Sequence, residues 1–432
     1  MAKRIPFQQL LDNLTGAYKK DIASFSRYYG QFNLKEDGFQ YYYLGGGNTS
    51  INEGNILFVK LSGHRLSTIE ADGFGEVNVQ QLLDGLQKLE KECSAVLNSD
   101  YTKDFSPVTT LDSKVTELFS KANAVGGDPS VESGLHAQLA GTFKKPRWNL
   151  HDHNTIKNYL LCSENAEQVY KEIFGDNPRV RFMDFVEPGA LLSIVFNRKM
   201  NEWKNTSEPN IILMAQHGAI QTGYPPQEIY DLDQMVVEKI SSYAVQHLPE
   251  YPFGVKSYTR PDNDSIIKAA GIVSRCFDKV WVQANQSEND IIMRMLFSEK
   301  ALKTIKQGMP NPDAVVYGGA APLVLDFNPG DNPAKLEDSA RKALGQYKEK
   351  YKELSLSHKG YLPKIIIIPG LCVITIGESE KQADNAYAAL LDTSYILSGA
   401  EAFGGMKPLS DKHLFYITNW AAEQRREKIA SR

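Results

Sequence analysis

The sequence predicts two successive α/β domains. Its 432 residues exceed what a single hydrophobic core usually holds. Short runs rich in β-branched and aromatic residues alternate with longer stretches whose apolar residues recur every three or four positions, as strands interleaved with amphipathic helices do. Between residues 248 and 261 the chain carries Pro249, Pro252, Gly254 and Pro261, and this stretch is the predicted boundary. The first domain is therefore placed at residues 1–255 and a second, smaller α/β domain at residues 256–432.

In the first domain Leu10, Leu11, Leu14, Tyr18 and Ile22 give residues 5–30 helical spacing. Tyr41 to Leu44 reads as a strand entering the glycine turn Gly45-Gly46-Gly47. Ile56 to Leu61 is the next strand, closed by Ser62-Gly63. Val79 to Leu97 has the spacing of an amphipathic helix. Gly126 to Ser130 then breaks the chain before a helix beginning near Val131. Arg147 to Leu150 reads as the end of a strand that bends into a loop, with an apolar helix starting at Tyr159-Leu160-Leu161-Cys162. Ile211 to Met214 is a further apolar strand, and Pro225 to His247 a long helix entered at Pro226.

In the second domain Lys279–Val282, Ala314–Tyr317 and Leu323–Leu325 read as strands. Ile365–Ile368 and Val373–Ile376 form a buried pair around Pro369-Gly370-Leu371-Cys372. Helices over Lys381–Ser398 and Ser410–Ile429 close the sequence.

Composition narrows the function. Apolar residues make up 42% of the chain, enough for packed cores in an ordinary soluble protein. A net charge of −4 argues against a general nucleic-acid binder, which would carry a basic face. No apolar run reaches the roughly 18 residues that a membrane helix needs. The first residues, Met1-Ala2-Lys3-Arg4-Ile5-Pro6, turn polar too soon for a secretory signal. Cys93, Cys162, Cys276 and Cys372 are scattered without a CxxC pair, which suits reduced thiols in a cytoplasm.

The most specific string is Asn149-Leu150-His151-Asp152-His153-Asn154. Two of the chain's eight histidines stand there one residue apart. Within a strand, that spacing would send the two rings to opposite faces. Both can reach one metal ion only where the chain bends, at a strand end. His217, at the end of the apolar run Ile211–Met214, is a third. Three imidazoles at strand ends leave one coordination position open, as a catalytic zinc site requires. The plainer reading is a pair of loop histidines and a strand-end histidine bonded to backbone.

Three further strings have two readings each. Pro129-Ser130-Val131-Glu132 before a helix places Ser130 as N-cap, with free backbone N–H groups for an anion and Glu132 in the first turn. Alternatively Glu132 simply faces the helix dipole. His136, four residues on, shares its face. Gly45-Gly46-Gly47-Asn48-Thr49-Ser50 is either a tight hairpin or a backbone cradle for phosphate. Ser62-Gly63 would add donors to the same anion. No GxGxxG or GK[ST] spacing is present, so no nicotinamide cofactor is expected.

In this order (GGGNTS, SG, PSxE, HxH, QHG) the strings resemble the class II aldolase/adducin family over residues 30–248. GGGNTS together with KLSGHRLSTIEADGF is similar to one branch, the bifunctional rhamnulose-1-phosphate aldolase/alcohol dehydrogenases, and that likeness continues to Trp420. The sequence carries only the aldolase half of the pattern, so the dehydrogenase part that follows in the branch is expected to be absent. The resemblance implies a three-layer α/β/α domain followed by the smaller α/β domain. It implies zinc on His151, His153 and His217, a catalytic carboxylate at Glu132, and phosphate binding by Asn48, Ser62, Gly63 and Ser130. It also implies a homo-oligomer with a phosphorylated sugar as substrate. Val131 stands where single-chain relatives have a second hydroxyl residue, which removes one phosphate donor. Glu187, in Phe185-Val186-Glu187-Pro188-Gly189, is the candidate for a second acid.

The ligand set also argues for the chemistry directly. Breaking a carbon–carbon bond beside a carbonyl leaves an enediolate, which a divalent cation stabilises by holding both oxygens. Three neutral imidazoles leave the ion its full charge. Glu132 would move the proton, and the cradle would spend phosphate binding energy on positioning. The expected function is metal-dependent aldol cleavage of a ketose 1-phosphate, rhamnulose-1-phosphate-like, to dihydroxyacetone phosphate and an aldehyde. The alternatives are a sugar-phosphate epimerase or dehydratase on the same site, and a non-catalytic interaction module like the adducin head. The last predicts loss of the metal histidines, and all three are present.

Overall fold

The computed structural model describes residues 5–33, 47–143, 147–175, 177–203, 210–277, 281–285, 289–327, 331–354, 362–422 and 424. The strand and glycine turn expected over Tyr41–Gly46 lie outside them, as do Lys279, Val280 and the last part of the closing helix. The chain divides into two units, residues 1–157 with 170–240 and residues 158–169 with 241–432.

The N-terminal helical stretch breaks where Gly16 takes φ +80°. The amides of Thr15 and Gly16 donate to the Asp21 carboxylate at 2.8 and 2.7 Å, so the chain turns there. This separates α1 (Phe7–Asp12) from α2 (Tyr18–Gly30). Strands β1 (Asn48–Glu53), β2 (Ile56–Lys60) and β3 (Phe74–Asn78) follow as an antiparallel meander. Asn78 then caps the next helix by accepting from the Gln81 amide at 2.9 Å. The expected helix over 79–97 is two, α3 (Val79–Lys88) and α4 (Glu90–Leu97), followed by α5 (Ser106–Ala122) and α6 (Ser133–Thr142).

Strand β4 (Trp148–Asp152) runs two residues further than the sequence suggested. Helix α7 (Thr155–Leu161) starts well before Tyr159, because Asn154 Oδ1 accepts from the amides of Ile156 and Lys157. Next come α8 (Ala166–Phe174), β5 (Val180–Met183), α9 (Ala190–Trp203), β6 (Ile211–Met214), β7 (Gly218–Gly223) and α10 (Pro226–His247).

The strand order is β3-β2-β1-β4-β7-β6-β5, antiparallel throughout except for β5 beside β6. Strand alternation sends Trp148 and Leu150 to a core with Phe7, Leu10, Ile22 and Phe25 of α1 and α2 and Ile229 of α10. Ile212, Met214 and Ile220 pack instead with Leu135 and Leu139 of α6 and Leu192 and Phe196 of α9. Two cores on opposite faces make the expected α/β/α layering.

The second unit is also α/β. Its helices are α11 (Asn263–Ser274), α12 (Asp290–Leu296), α13 (Glu299–Ile305), α14 (Pro312–Gly318), α15 (Pro333–Lys350), α16 (Glu380–Gly399) and α17 (Asp411–Asn419). Its strands are β8 (Trp281–Asn285), β9 (Leu323–Val324), β10 (Ile365–Ile368) and β11 (Cys372–Gly377), in the order β8-β11-β10-β9. One sequence expectation fails here. Ala314–Tyr317 is not a strand but the middle of α14, started by Asn311, whose side chain accepts from the Ala314 amide, and by Pro312 in the first turn. Every residue of α14 is buried, so neither helical nor strand alternation marks the sequence. No helix among the described residues is long and apolar enough to cross a membrane. All four cysteines are free.

Candidate metal centre

The histidines meet because β4 ends between them. In the strand, His151 points to the α6 face and Asp152 to the α10 face. His153 lies just past the strand end, where the chain turns back, and its Nε2 comes within 3.0 Å of His151 Nε2. The bend expected before His151 therefore falls after Asp152.

His217 arrives from the turn joining β6 to β7. Gln216 takes φ 51°, a positive value among the described non-glycine residues. Gly218 follows at a point where a Cβ would sit 2.3 Å from the Asp152 carbonyl oxygen. Only glycine fits there, which gives Gln216-His217-Gly218 a steric reason.

Glu132 comes from the start of α6. The sequence predicted Ser130 as the cap, but Glu132 holds that position, with φ −99° and ψ 8° and no side-chain cap bond. Ser130 Oγ only accepts weakly from the Glu132 amide, at 3.4 Å. The Glu132 carboxylate turns to the histidines instead. Its Oε1 is 3.2 Å from Nε2 of both His151 and His217. One ligand atom from each of Glu132, His151, His153 and His217 lies within 4.8 Å of all the others. The three rings stand nearly perpendicular in pairs, at 73–77°.

Hydrogen bonding bears on what this cluster could hold. His151 Nδ1 lies 2.9 Å from the Ala219 carbonyl, which can only accept, so Nδ1 carries the proton. The His151 Nε2 lone pair then faces Glu132 Oε1 and His153 Nε2. Acceptors facing one another need a proton or a cation between them. Tetrahedral zinc with bonds of about 2.0–2.1 Å spaces its ligand atoms by about 3.3 Å. Three of the separations, at 3.0–3.2 Å, come close to that spacing, and all four ligand atoms lie within 4.8 Å of one another.

The electrostatics suit neutral ligands. Burial, with Glu132 partly opposing it, lowers the His217 pKa to about 4. Burial would raise the Glu132 carboxyl, but where His151 and His217 present a proton or positive charge to it, their charges and hydrogen bonds outweigh burial and hold it well below the usual carboxylate range. Glu132 also remains accessible, with its side chain 14% exposed.

Of the expected phosphate ligands, Asn48 is the register partner of His151 across β1 and β4. Its Oδ1 accepts from the Thr49 amide, while its buried Nδ2 has no hydrogen-bond partner among the described residues. Ser62, Gly63 and Ser130 lie on two loops tied together. Leu61 bridges Pro129, the Ser62 amide donates to the Asp128 carbonyl at 2.8 Å, and the Ser130 amide to Lys60 at 3.2 Å. Gly63 takes φ +87°. Of the cradle glycines only Gly47 lies among the described residues.

Glu187 is elsewhere. It is buried and accepts from the buried Tyr101 hydroxyl, outside the group of four. His136, noted in sequence only for sharing a face with Glu132, is fully buried, with Nδ1 2.8 Å from Ser50 Oγ. Burial, reinforced by His151, lowers its pKa to about 3.

Residues 264–426 match the family model described as aldolase class II, second domain. Over these residues the chain is similar to class II aldolases. Among solved structures, the chain is similar to the N-terminal class II aldolase domain of a conserved protein from Thermoplasma acidophilum. That likeness has 22% identity over 56% of this chain and 99% of the other, with a TM-score of 0.39. L-fuculose 1-phosphate aldolase matches at 16% identity over 56% of this chain and 92% of that one, with a TM-score of 0.33. A curated relative, named uncharacterized oxidoreductase YuxG, from Bacillus subtilis (strain 168), is 23% identical over 402 residues. The alignment takes in 88% of this chain and 54% of the relative, so the chain spans about half the length of the curated relative it matches. Glu132, His151, His153 and His217 are a group that could hold a metal ion.

Proposed function

We propose that the chain is a zinc-dependent aldolase that cleaves a ketose 1-phosphate of the rhamnulose type to dihydroxyacetone phosphate and an aldehyde. What supports the reading is the convergence of His151, His153, His217 and Glu132 on one point. The three imidazoles would hold the cation. A divalent cation bound there supplies Lewis-acid stabilisation of the enediolate that bond cleavage leaves.

The remaining roles belong to the protein. Glu132, ionised and partly open to solvent, would take up the proton lost by the hydroxyl that becomes the aldehyde oxygen and deliver it to the carbon left as enediolate. Its lowered pKa keeps it ionised, and so able to accept a proton, at neutral pH. Asn48 offers its unpartnered amide beside His151 to a substrate oxygen. Ser62, Gly63 and Ser130 anchor the phosphate at the far end, so that binding energy serves orientation. The working form is a homo-oligomer, as the family resemblance implies.

The test incubates purified, zinc-loaded protein with a panel of ketose 1-phosphates. Release of dihydroxyacetone phosphate is the expected result. Isomerised or dehydrated sugar without it would favour an epimerase or dehydratase on the same residues. No turnover of any kind would favour the interaction module.

A further inference from the structure

Behind the histidines, on the other face of the sheet, lies a cluster of buried charge that the proposed chemistry does not use. Lys157 of α7 is fully buried, with its ammonium 2.7 Å from Asp152 Oδ2 and 2.6 Å from Asp233 Oδ1 of α10. Gln221 of β7 donates from Nε2 to the same two carboxylate oxygens at 3.2 and 3.0 Å. All four side chains are buried. Buried charge clusters of this kind are often no more stabilising than apolar residues of the same volume, so stability alone gives a weak reason for this one.

Its position gives a better reason. Asp152 is the residue between His151 and His153. Its carboxylate goes to Lys157, while its carbonyl oxygen packs against Gly218, next to His217. Its register partner on β7 is Ala219, whose carbonyl receives the His151 Nδ1 proton. Gln221 stands two residues further along β7. Each histidine is thus connected to Asp152 by the chain, by packing or by one hydrogen bond.

We propose that Lys157, with Asp152, Gln221 and Asp233, forms a positioning clamp that fixes the ends of β4 and β7 so that His151, His153 and His217 converge on one cation. The clamp touches neither substrate nor cation and acts through the histidines. This rests on the metal-site reading above.

Co2+ titration of the metal-free protein tests it, because four-coordinate Co2+ absorbs visible light far more strongly than the hydrated ion. The first variant is Asp152→Asn/Lys157→Met/Asp233→Asn, which leaves no unpaired buried charge. It is expected to melt close to the metal-free wild type. Its Co2+ affinity should fall about 10–100-fold, as when other groups that orient metal ligands are removed, with a weakened visible band. A milder variant, Asp233→Asn, keeps a neutral Asp152–Lys157 pair and should shift both readouts the same way by less; it decides the matter if the triple variant does not fold. Wild-type affinity and spectrum in a folded variant would overturn the clamp alone. Failure of the wild type to bind Co2+ would overturn the metal site as well, and it would appear before any variant is made.

Discussion

Gly218 meets the Asp152 carbonyl so closely that a single added methyl would lie 2.3 Å from its oxygen and 2.8 Å from His153 Cδ2. Neither neighbour can retreat: one is strand backbone, and the other belongs to the candidate metal ligands. Gly218→Ala should therefore cost about 1–3 kcal/mol through overpacking and displace His153. Thermal unfolding and metal analysis of the variant check this. A variant as stable and as metal-rich as wild type would show that the turn can move.

The histidines and Glu132 should separate in mutants. His151→Ala, His153→Ala or His217→Ala leaves two nitrogen ligands, so both metal and activity should be lost. Glu132→Gln keeps size and hydrogen bonding but cannot accept a proton. Metal should remain while turnover drops by ~10²-fold or more. Metal content and kcat of the four purified variants settle the roles, and a fully active Glu132→Gln would move the base elsewhere.

Metal-free protein should become acid-labile early. His136 and His217 have folded pKa values of about 3 and about 4, both below the unfolded 6.5. Between those values the unfolded chain binds more protons, so stability falls as pH drops below about 6.5. Each group takes up to about 1.4 kcal/mol per pH unit. Denaturant melts in EDTA at pH 7 and pH 5 measure the slope. A folded His136→Gln variant should show a shallower slope, by one proton's worth.

Ser62 stands exposed on its loop, and among the described residues its hydroxyl is committed only to a long contact with the Pro129 carbonyl at 3.3 Å. Ser62→Ala should raise KM for a ketose 1-phosphate about 3–10-fold, the worth of one hydrogen bond, with kcat nearly unchanged. An unaltered KM would remove Ser62 from the phosphate site.

The stretch 248–261 has no regular secondary structure. Arg294 ties part of it down through the carbonyls of Val255 and Lys256, but Lys256 and Ser257 are exposed. Limited trypsin digestion should therefore cut first after Lys256, leaving two fragments visible by mass spectrometry. Primary cleavage between residues 130 and 217 would contradict this.

Most strands could be read from sequence because β-branched runs such as Ile365–Ile368 and Ile211–Met214 have few alternatives. The same cue failed at Ala314–Tyr317, where Asn311 and Pro312 set a helix and complete burial removed any periodicity. His151, His153 and His217 stood out through residue type and placement at strand ends. The cap at Ser130 did not hold, because the Glu132 carboxylate and the turn before α6 are set by contacts with distant histidines. Lys157 carried no local signal at all. Its partners lie five residues away at Asp152 and across the fold at Asp233, and nothing in a linear reading joins them.

The ligands come from three widely separated stretches: Glu132, the His151–His153 pair and His217. They can assemble only after β4 and β7 have paired, which closes a loop of some seventy residues between Asp152 and Ala219. Such long-range closure is the slow part of forming a sheet. A cation that recognises the finished cluster would not guide the chain toward it. Its effect should appear in the unfolding rate, which slows as the ion concentration rises, while the refolding rate stays nearly constant.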